Sequence, residues 1–365
     1  MQMDDILLRS EEKVVFKLRD IYRKHGYSCF KMSKFEEYDL YSQNKDFLVS
    51  DSVITFNDTN GKLMALKPDV TLSIVKNFTP SKGAVQRLYY NENVYRISDK
   101  THNYKEIMQA GLECIGDITE YNIYEVVGLA AKSLETISKN CVLNISHLGV
   151  LTALLDRLGA NADKTELISC IGNKNVNGIA EICAKCDAGQ KTTEMLTLLA
   201  EAYGDPTEII EKFKALTDDE NILSALYRLK NVVEQVSLVS SAKVQVDLSL
   251  TSDTNYYNGI MLQGFVEGIP TGVLSGGQYD RLMKKMGKPA RAIGFAVYLD
   301  LLERLKAKTD YDVDVLLVYD KKIDPVLVSR RVAELINEGK SVSAQTTVPE
   351  KLLYREKEIL ASTEE

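Results

Sequence analysis

From Leu148 to about Val239 the chain reads as almost wholly helical, and segments that read as strands bound it on both sides. That order limits the fold. Strands and helices arriving in blocks belong to α+β architectures, whereas regular β-α-β alternation would imply a parallel sheet. Before the block, Val53 to Phe56 and Lys62 to Leu66 flank an Asn60-Gly61 pair. This predicts a hairpin with a type I′ turn, because both turn residues tolerate positive φ. Val85 to Tyr90, Asn93 to Ile97 and Ile107 to Gly116 read as further strands, and Tyr121 to Ser138 as a helix. After the block, Val244, Val246, Leu248 and Leu250 alternate with polar residues, the period of a half-buried strand. Ile260 to Val266 and Thr271 to Leu274 follow as strands. Ala290 to Leu305 is expected to close this part of the chain as a helix.

A length of 365 residues accommodates one large core and a smaller domain. Composition shifts at Lys306 to Asp312, which divides the chain into a core over 1–305 and a second domain over 311–365. In the latter, Val313 to Val318 reads as a strand, Val326 to Asn337 as an amphipathic helix and Ser341 to Ala344 as a second strand. Such a β-α-β unit implies a small parallel sheet. The expected fold is therefore α+β, an antiparallel sheet flanked by helices, with a small α/β appendix.

The net charge of −7 and the absence of any Lys/Arg-rich run give nucleic-acid binding no electrostatic support. No apolar stretch approaches the ~20 residues of a membrane span. Met1 to Arg9 carries Asp4 and Asp5 and no long apolar core, so it does not read as a secretory signal, and a cytoplasmic location is expected. Of six cysteines only Cys183 and Cys186 are close. With three histidines in the chain, the second half of a zinc site is missing. The pair lies in a stretch that reads as helix already under way, so ordinary reduced thiols are expected. His25, followed by Gly26, reads as a helix-end residue. No metal and no organic cofactor is expected.

Several segments resemble histidyl-tRNA synthetases, in that family's order: "FNDTNGKLMALKPDVT" (Phe56 to Thr71), Arg87 to Gly116, Asn255 to Leu262, "GGQYDRL" (Gly276 to Leu282) and "AIGFAVYLDLL" (Ala292 to Leu302). "NISHLGVLTALL" (Asn144 to Leu155) and "VDLSLTSDTNYYNGI" (Val246 to Ile260) are more similar to a paralogous family, the regulatory subunits of ATP phosphoribosyltransferase. The resemblance implies a class II aminoacyl-tRNA synthetase-like core. It also implies a non-catalytic regulatory subunit acting in the first step of histidine biosynthesis. Its partner would be the short-form catalytic subunit, its ligand L-histidine, and its assembly a homodimer within a hetero-oligomer. An active histidyl-tRNA synthetase is the alternative.

The same resemblance places a histidine site at Asp69, Thr71, Gln109, Glu113, Tyr256 and Tyr257. The chemistry fits. An ammonium leaving water must be paired, and carboxylates such as Asp69 and Glu113 form charge-assisted hydrogen bonds with it. Thr71 and Gln109 add neutral partners. Gln109 and Glu113, four apart on a strand, share a face, and Gly111 between them is expected to leave room for a ligand. Tyr256 and Tyr257 would alternate, so that one of the two reaches the imidazole. Without the resemblance, an Asp after Pro reads as a turn residue and alternating Gln and Glu as a solvated strand face.

The departures from the synthetase pattern are as informative. Arg96 matches the motif 2 arginine and would be a retained phosphate-site cation. Ser98 stands where that motif carries an acid, and Ser252 and Leu301 stand where catalytic arginines are expected. Gln278 replaces an arginine, and Ser33 a motif 1 proline. Losing one oxyanion-type donor costs about 2.7–4 kcal/mol. Arg291 is a candidate replacement cation, but it reads as a surface arginine before a helix.

Overall fold

The computed structural model describes residues 10–48, 53–81, 83–98, 101–251, 256–305 and 311–361. Met1 to Arg9, Ser252 and most of the Lys306 to Asp312 junction lie outside these residues. The chain forms two compact units, one running to Arg304 and the other starting at Leu305.

A nine-stranded sheet organises the larger unit. Val85–Ile97 and Tyr104–Gly116 form one long antiparallel hairpin. The two short strands expected within Val85 to Ile97 are thus a single strand. Next to the hairpin lies Arg291–Tyr298, then Leu274–Gln278, Ile260–Val266, Cys141–His147, Lys243–Asp247 and the short Tyr203–Gly204. Ser28–Cys29 adds the opposite edge, parallel to Val85–Ile97. Lys243–Asp247 also runs parallel to Cys141–His147. The other pairings are antiparallel.

The expectation of a helix over Ala290 to Leu305 is wrong. Arg291–Tyr298 is a strand at the centre of the sheet, followed by a 3₁₀ turn over Leu299–Leu305. A strand covered on both faces is apolar almost throughout, and its period does not separate it from a buried helix. The strand Cys141–His147 was not foreseen, and Leu274–Gln278 replaces the expected Thr271 to Leu274. The alternation from Val244 ends early because Asp247 Oδ1 accepts from the backbone N–H and the hydroxyl of Ser249, turning the chain.

Helices Ser10–Lys24 and Glu120–Ile137 cover one face of the sheet. Tyr22 shares a 2.9 Å hydroxyl contact with Ser133, and its ring lies 6.1 Å from that of Phe295 on the central strand. The helical block comprises Leu148–Leu155, Lys164–Gly172, Val176–Lys185, Gln190–Glu201, Pro206–Lys214 and Glu220–Ser237. Asp163, Asn175, Asp205 and Asp219 each accept a backbone N–H at a helix start, as short polar side chains do at N-caps.

A separate three-stranded sheet holds Phe35–Glu37, Thr55–Asn57 and Leu63–Leu66. The hairpin at Asn60-Gly61 exists, but its turn is not type I′. Gly61 alone takes positive φ (79°), while a type I′ turn needs it at both central residues. Asp58 Oδ1 accepts from the N–H groups of Asn60 and Lys62, which holds a longer loop.

The smaller unit has three parallel strands, with Val313–Tyr319 between Val342–Gln345 and Tyr354–Leu360. The last of these was not foreseen. Helix Pro325–Asn337 starts at Asp324, whose side chain accepts from Val326 N–H. Leu317, Ile323 and Val328 form the core of this unit.

Candidate functional site

Register across the central strands builds the site. Three cross-strand rows face the same side: Leu88–Glu113–Gly294, Tyr90–Gly111–Ala296–Ser275 and Glu92–Gln109–Tyr298. Residues two apart on a strand share a face, so small residues (Gly111, Gly294, Ala296) form a floor and tall ones rise around it. The glycines are steric necessities. A Cβ on Gly294 would lie 1.8 Å from Glu113 Oε2, and one on Gly111 would lie 2.1 Å from the Tyr90 ring. Gly111 therefore makes room for Tyr90, not for a ligand as the sequence suggested.

Above this floor is a cavity of about 290 Å³. Asp69, Thr71, Arg96, Gln109, Glu113, Tyr256 and Tyr257 all line it. Sequence reasoning missed other lining residues, among them Tyr90, Ser275, Tyr279 and Tyr298. Tyr279 lies inside the "GGQYDRL" segment, directly after Gln278. Nothing in the local pattern marks Tyr90.

Glu113 is 2 % exposed. Thr71 Oγ1 donates to its Oε1 at 2.7 Å, and the Tyr279 hydroxyl donates to its Oε2 at 2.6 Å. Burial raises its pKa to about 8. The two hydrogen bonds oppose that rise, and the nearby Asp69 carboxylate adds to it. Asp69 is also raised, chiefly by burial, against the Leu72 N–H and the Arg96 charge. Its Oδ1 accepts from Leu72 N–H at 2.8 Å in the first turn of helix Thr71–Asn77.

Gln109 is 4 % exposed and makes no side-chain hydrogen bond to a described residue, so its amide is available to an occupant of the cavity. Arg96 is the one cationic side chain among the described lining residues, and its Nε donates to Pro68 O at 3.0 Å. The Tyr256 ring packs against those of Tyr257 (4.8 Å) and Tyr279 (5.9 Å). Tyr256 and Tyr257 precede strand Ile260–Val266, so strand alternation does not separate them and both border the cavity.

Leu301 lies half-buried in the 3₁₀ turn and away from the cavity lining. Arg291 opens a strand, which corrects its reading as a residue before a helix. Its Nη1 donates to Ile118 O at 3.2 Å and its Nε is 3.5 Å from Asp280 Oδ2, outside this cavity. Gln278 is buried and its Oε1 accepts from Ile260 N–H at 3.0 Å, filling the space beside Gly259. A neutral amide here holds backbone. Ser33 Oγ accepts from Phe35 N–H at 3.2 Å, and Ser98 N–H donates to Asn103 O.

Cys183 lies buried in helix Val176–Lys185, and Cys186 Sγ lies 3.6 Å from Cys183 O. Among the described residues no cluster of His, Cys, Asp or Glu has the arrangement of a metal site, and no helix is long and apolar enough to cross a membrane.

The histidyl-tRNA synthetase family model matches residues 4–302. A relative from Clostridium kluyveri, named ATP phosphoribosyltransferase regulatory subunit, is 31% identical over 322 residues, 84% of this chain and 81% of that protein. The chain belongs to the ATP phosphoribosyltransferase regulatory subunits, within the histidyl-tRNA synthetase family. Solved structures share the fold of this regulatory-subunit family. One from Bacillus halodurans, described as an ATP phosphoribosyltransferase regulatory subunit/histidyl-tRNA synthetase, is 22% identical with a TM-score of 0.73, covering 98% of this chain and 99% of that one. A chain of the ATP phosphoribosyl transferase (HisG:HisZ) complex from Thermotoga maritima is 20% identical with a TM-score of 0.63, covering 79% and 97%. The large central sheet flanked by helices is thus the class II synthetase-like architecture.

Proposed function

We propose that this chain is a non-catalytic regulatory subunit of ATP phosphoribosyltransferase that binds L-histidine in the cavity above Gly111 and Gly294. In this reading it forms a homodimer within a hetero-oligomer with the short-form catalytic subunit, in the cytoplasm and without nucleic acid. Membership of the regulatory-subunit family supports the partner. The half-buried Asp69 and the buried Glu113, which line one cavity, carry the ligand assignment. Two carboxylates with raised pKa values in one small cavity favour a cationic occupant, because a nearby positive charge stabilises their ionised forms. Thr71 and Gln109 supply neutral hydrogen bonds, and Tyr256 and Tyr257 supply rings with hydroxyl ends for a heterocycle.

The cation inventory favours sensing over amino-acid activation. Adenylate formation concentrates negative charge that fixed cations must meet, at about 2.7–4 kcal/mol for each donor lost. Arg96 is retained, Leu301 lies off the cavity, and Ser252 would offer a hydroxyl. Feedback requires that histidine bind one state of the complex better than another.

Calorimetric titration of the purified chain with L-histidine, without ATP, tests the assignment. One-site saturable binding is expected. Histidine-dependent ATP–pyrophosphate exchange at ordinary synthetase rates would instead restore the enzymatic alternative. In the complex, Glu113→Ala is expected to abolish the response to histidine while the subunits still assemble.

A further inference from the structure

Tyr298 is the last residue of the central strand and stands directly opposite Gln109. Its backbone N–H donates to Val273 O, but its hydroxyl lies 2.8 Å from Ser275 Oγ, two residues further along that neighbouring strand. The ring therefore leans back diagonally over the row that contains Ala296 and Ser275, instead of continuing the strand direction away from the sheet. Tyr90 reaches the same region from the other side, across Gly111. The Tyr90 ring thus covers Gly111, while Tyr298 walls the cavity beside the floor of Gly294 and Ala296.

Beyond Tyr298 the central strand ends, and the long hairpin continues alone toward Arg96, which faces the same side as Tyr90 and Glu92. Tyr298 lines the cavity directly opposite Gln109, so an extension of an occupant running past the Gln109 row would have to pass this ring.

We infer that Tyr298, braced on Ser275, determines specificity by closing this end of the cavity, so that a free amino acid fits and a derivative extended through its carboxyl group does not. The inference rests on the histidine-site reading proposed above. It assigns the size limit to a tyrosine ring, separately from any loss of cations.

The test uses the full-length chain and two ligands, L-histidine and the non-hydrolysable sulfamoyl analogue of histidyl-adenylate, titrated calorimetrically into wild type, Tyr298→Ala and Ser275→Ala. Wild type is expected to prefer L-histidine by at least tenfold. Tyr298→Ala is expected to reduce that preference by tenfold or more, chiefly by strengthening the analogue. Ser275→Ala keeps the ring and removes its brace, so a smaller reduction in the same direction is expected, and it decides the matter if Tyr298→Ala does not fold. An unchanged preference in both folded variants, or a wild type that binds the analogue as tightly as histidine, overturns the inference and leaves the histidine site standing. A wild type that binds neither ligand overturns the site reading, and this inference with it.

Discussion

The Tyr279 hydroxyl lies 2.6 Å from Glu113 Oε2, although the two residues are 166 positions apart. Thr71, 42 positions from Glu113 on the other side, donates to the second carboxylate oxygen. The carboxylate thus has a neutral donor on each oxygen and, among the described residues, no cation in direct contact. Such an arrangement holds a carboxyl group in place without committing its charge.

That arrangement ties ligand affinity to pH. The ordinary glutamate value is 4.5, and in the folded chain Glu113 is raised to about 8. Between these values the folded chain holds a proton that the unfolded chain has lost. The associated stability is complete below 4.5 and disappears as pH rises through about 8. A bound ammonium favours the ionised carboxylate and expels this proton. Histidine affinity should therefore rise with pH toward about 8, by at most about tenfold per unit. Titrations at pH 7 in buffers of different ionisation enthalpy should report up to one proton released on binding, and Glu113→Gln should remove that release. A binding enthalpy insensitive to buffer would contradict the scheme.

Gly294→Ala should abolish histidine binding more completely than it disturbs the fold. The new methyl would lie 1.8 Å from Glu113 Oε2 and must push the carboxylate off its two hydroxyl donors. Overpacking of this kind costs about 1–3 kcal/mol of stability. Calorimetry on a variant whose circular dichroism matches wild type provides the check, and retained binding would show that Glu113 can move without loss.

His147 should make the protein acid-sensitive. Its Nδ1 accepts from Gly149 N–H at the start of helix Leu148–Leu155, and its Nε2 is buried without a partner among the described residues. Burial, with help from the Arg228 charge, lowers its pKa to about 4 from 6.5. The unfolded chain therefore takes up this proton first. The stability is present above pH 6.5 and is lost as pH falls through about 4. His147→Asn keeps a side-chain acceptor at the cap and should flatten urea-midpoint profiles between pH 6.5 and 4. His147→Ala should lose about 1 kcal/mol at neutral pH.

Lys67 and Glu92 form a close ion pair in which the lysine is 1 % exposed and the glutamate 17 %. Removing one partner from a buried pair costs about 3–5 kcal/mol. Because the ammonium is the more buried member, Glu92→Gln should destabilise more than Lys67→Met. Replacing both, as Lys67→Met with Glu92→Leu, should recover most of the loss. Chemical denaturation of the three variants distinguishes this from a purely local effect of either residue.

The helical block was legible because its richness in Ala, Leu, Glu and Lys is a local signal, whereas the long hairpin was legible only as three shorter apolar runs. The resemblance brought together Asp69 and Thr71, at the start of helix Thr71–Asn77, with Gln109 and Glu113 on strand Tyr104–Gly116. Tyr90 and Gly294 were not legible as site residues, since each owes its role to a cross-strand neighbour that no local pattern specifies. The central strand was misread for a related reason. Arg291–Tyr298 is covered on both faces, and its apolar run contains no alternation to betray a strand.

That strand has a consequence for biosynthesis. Among the described residues, Arg291–Tyr298 joins the hairpin side of the sheet to the Leu274–Gln278 side, and it is the last strand of the larger unit to leave the ribosome. A nascent chain that has already displayed Asp69, Gln109 and Glu113 still has an unjoined sheet, with exposed edges that invite wrong pairing. The cavity therefore arises in one late step, and chaperone demand during translation should peak just before residue 298 emerges.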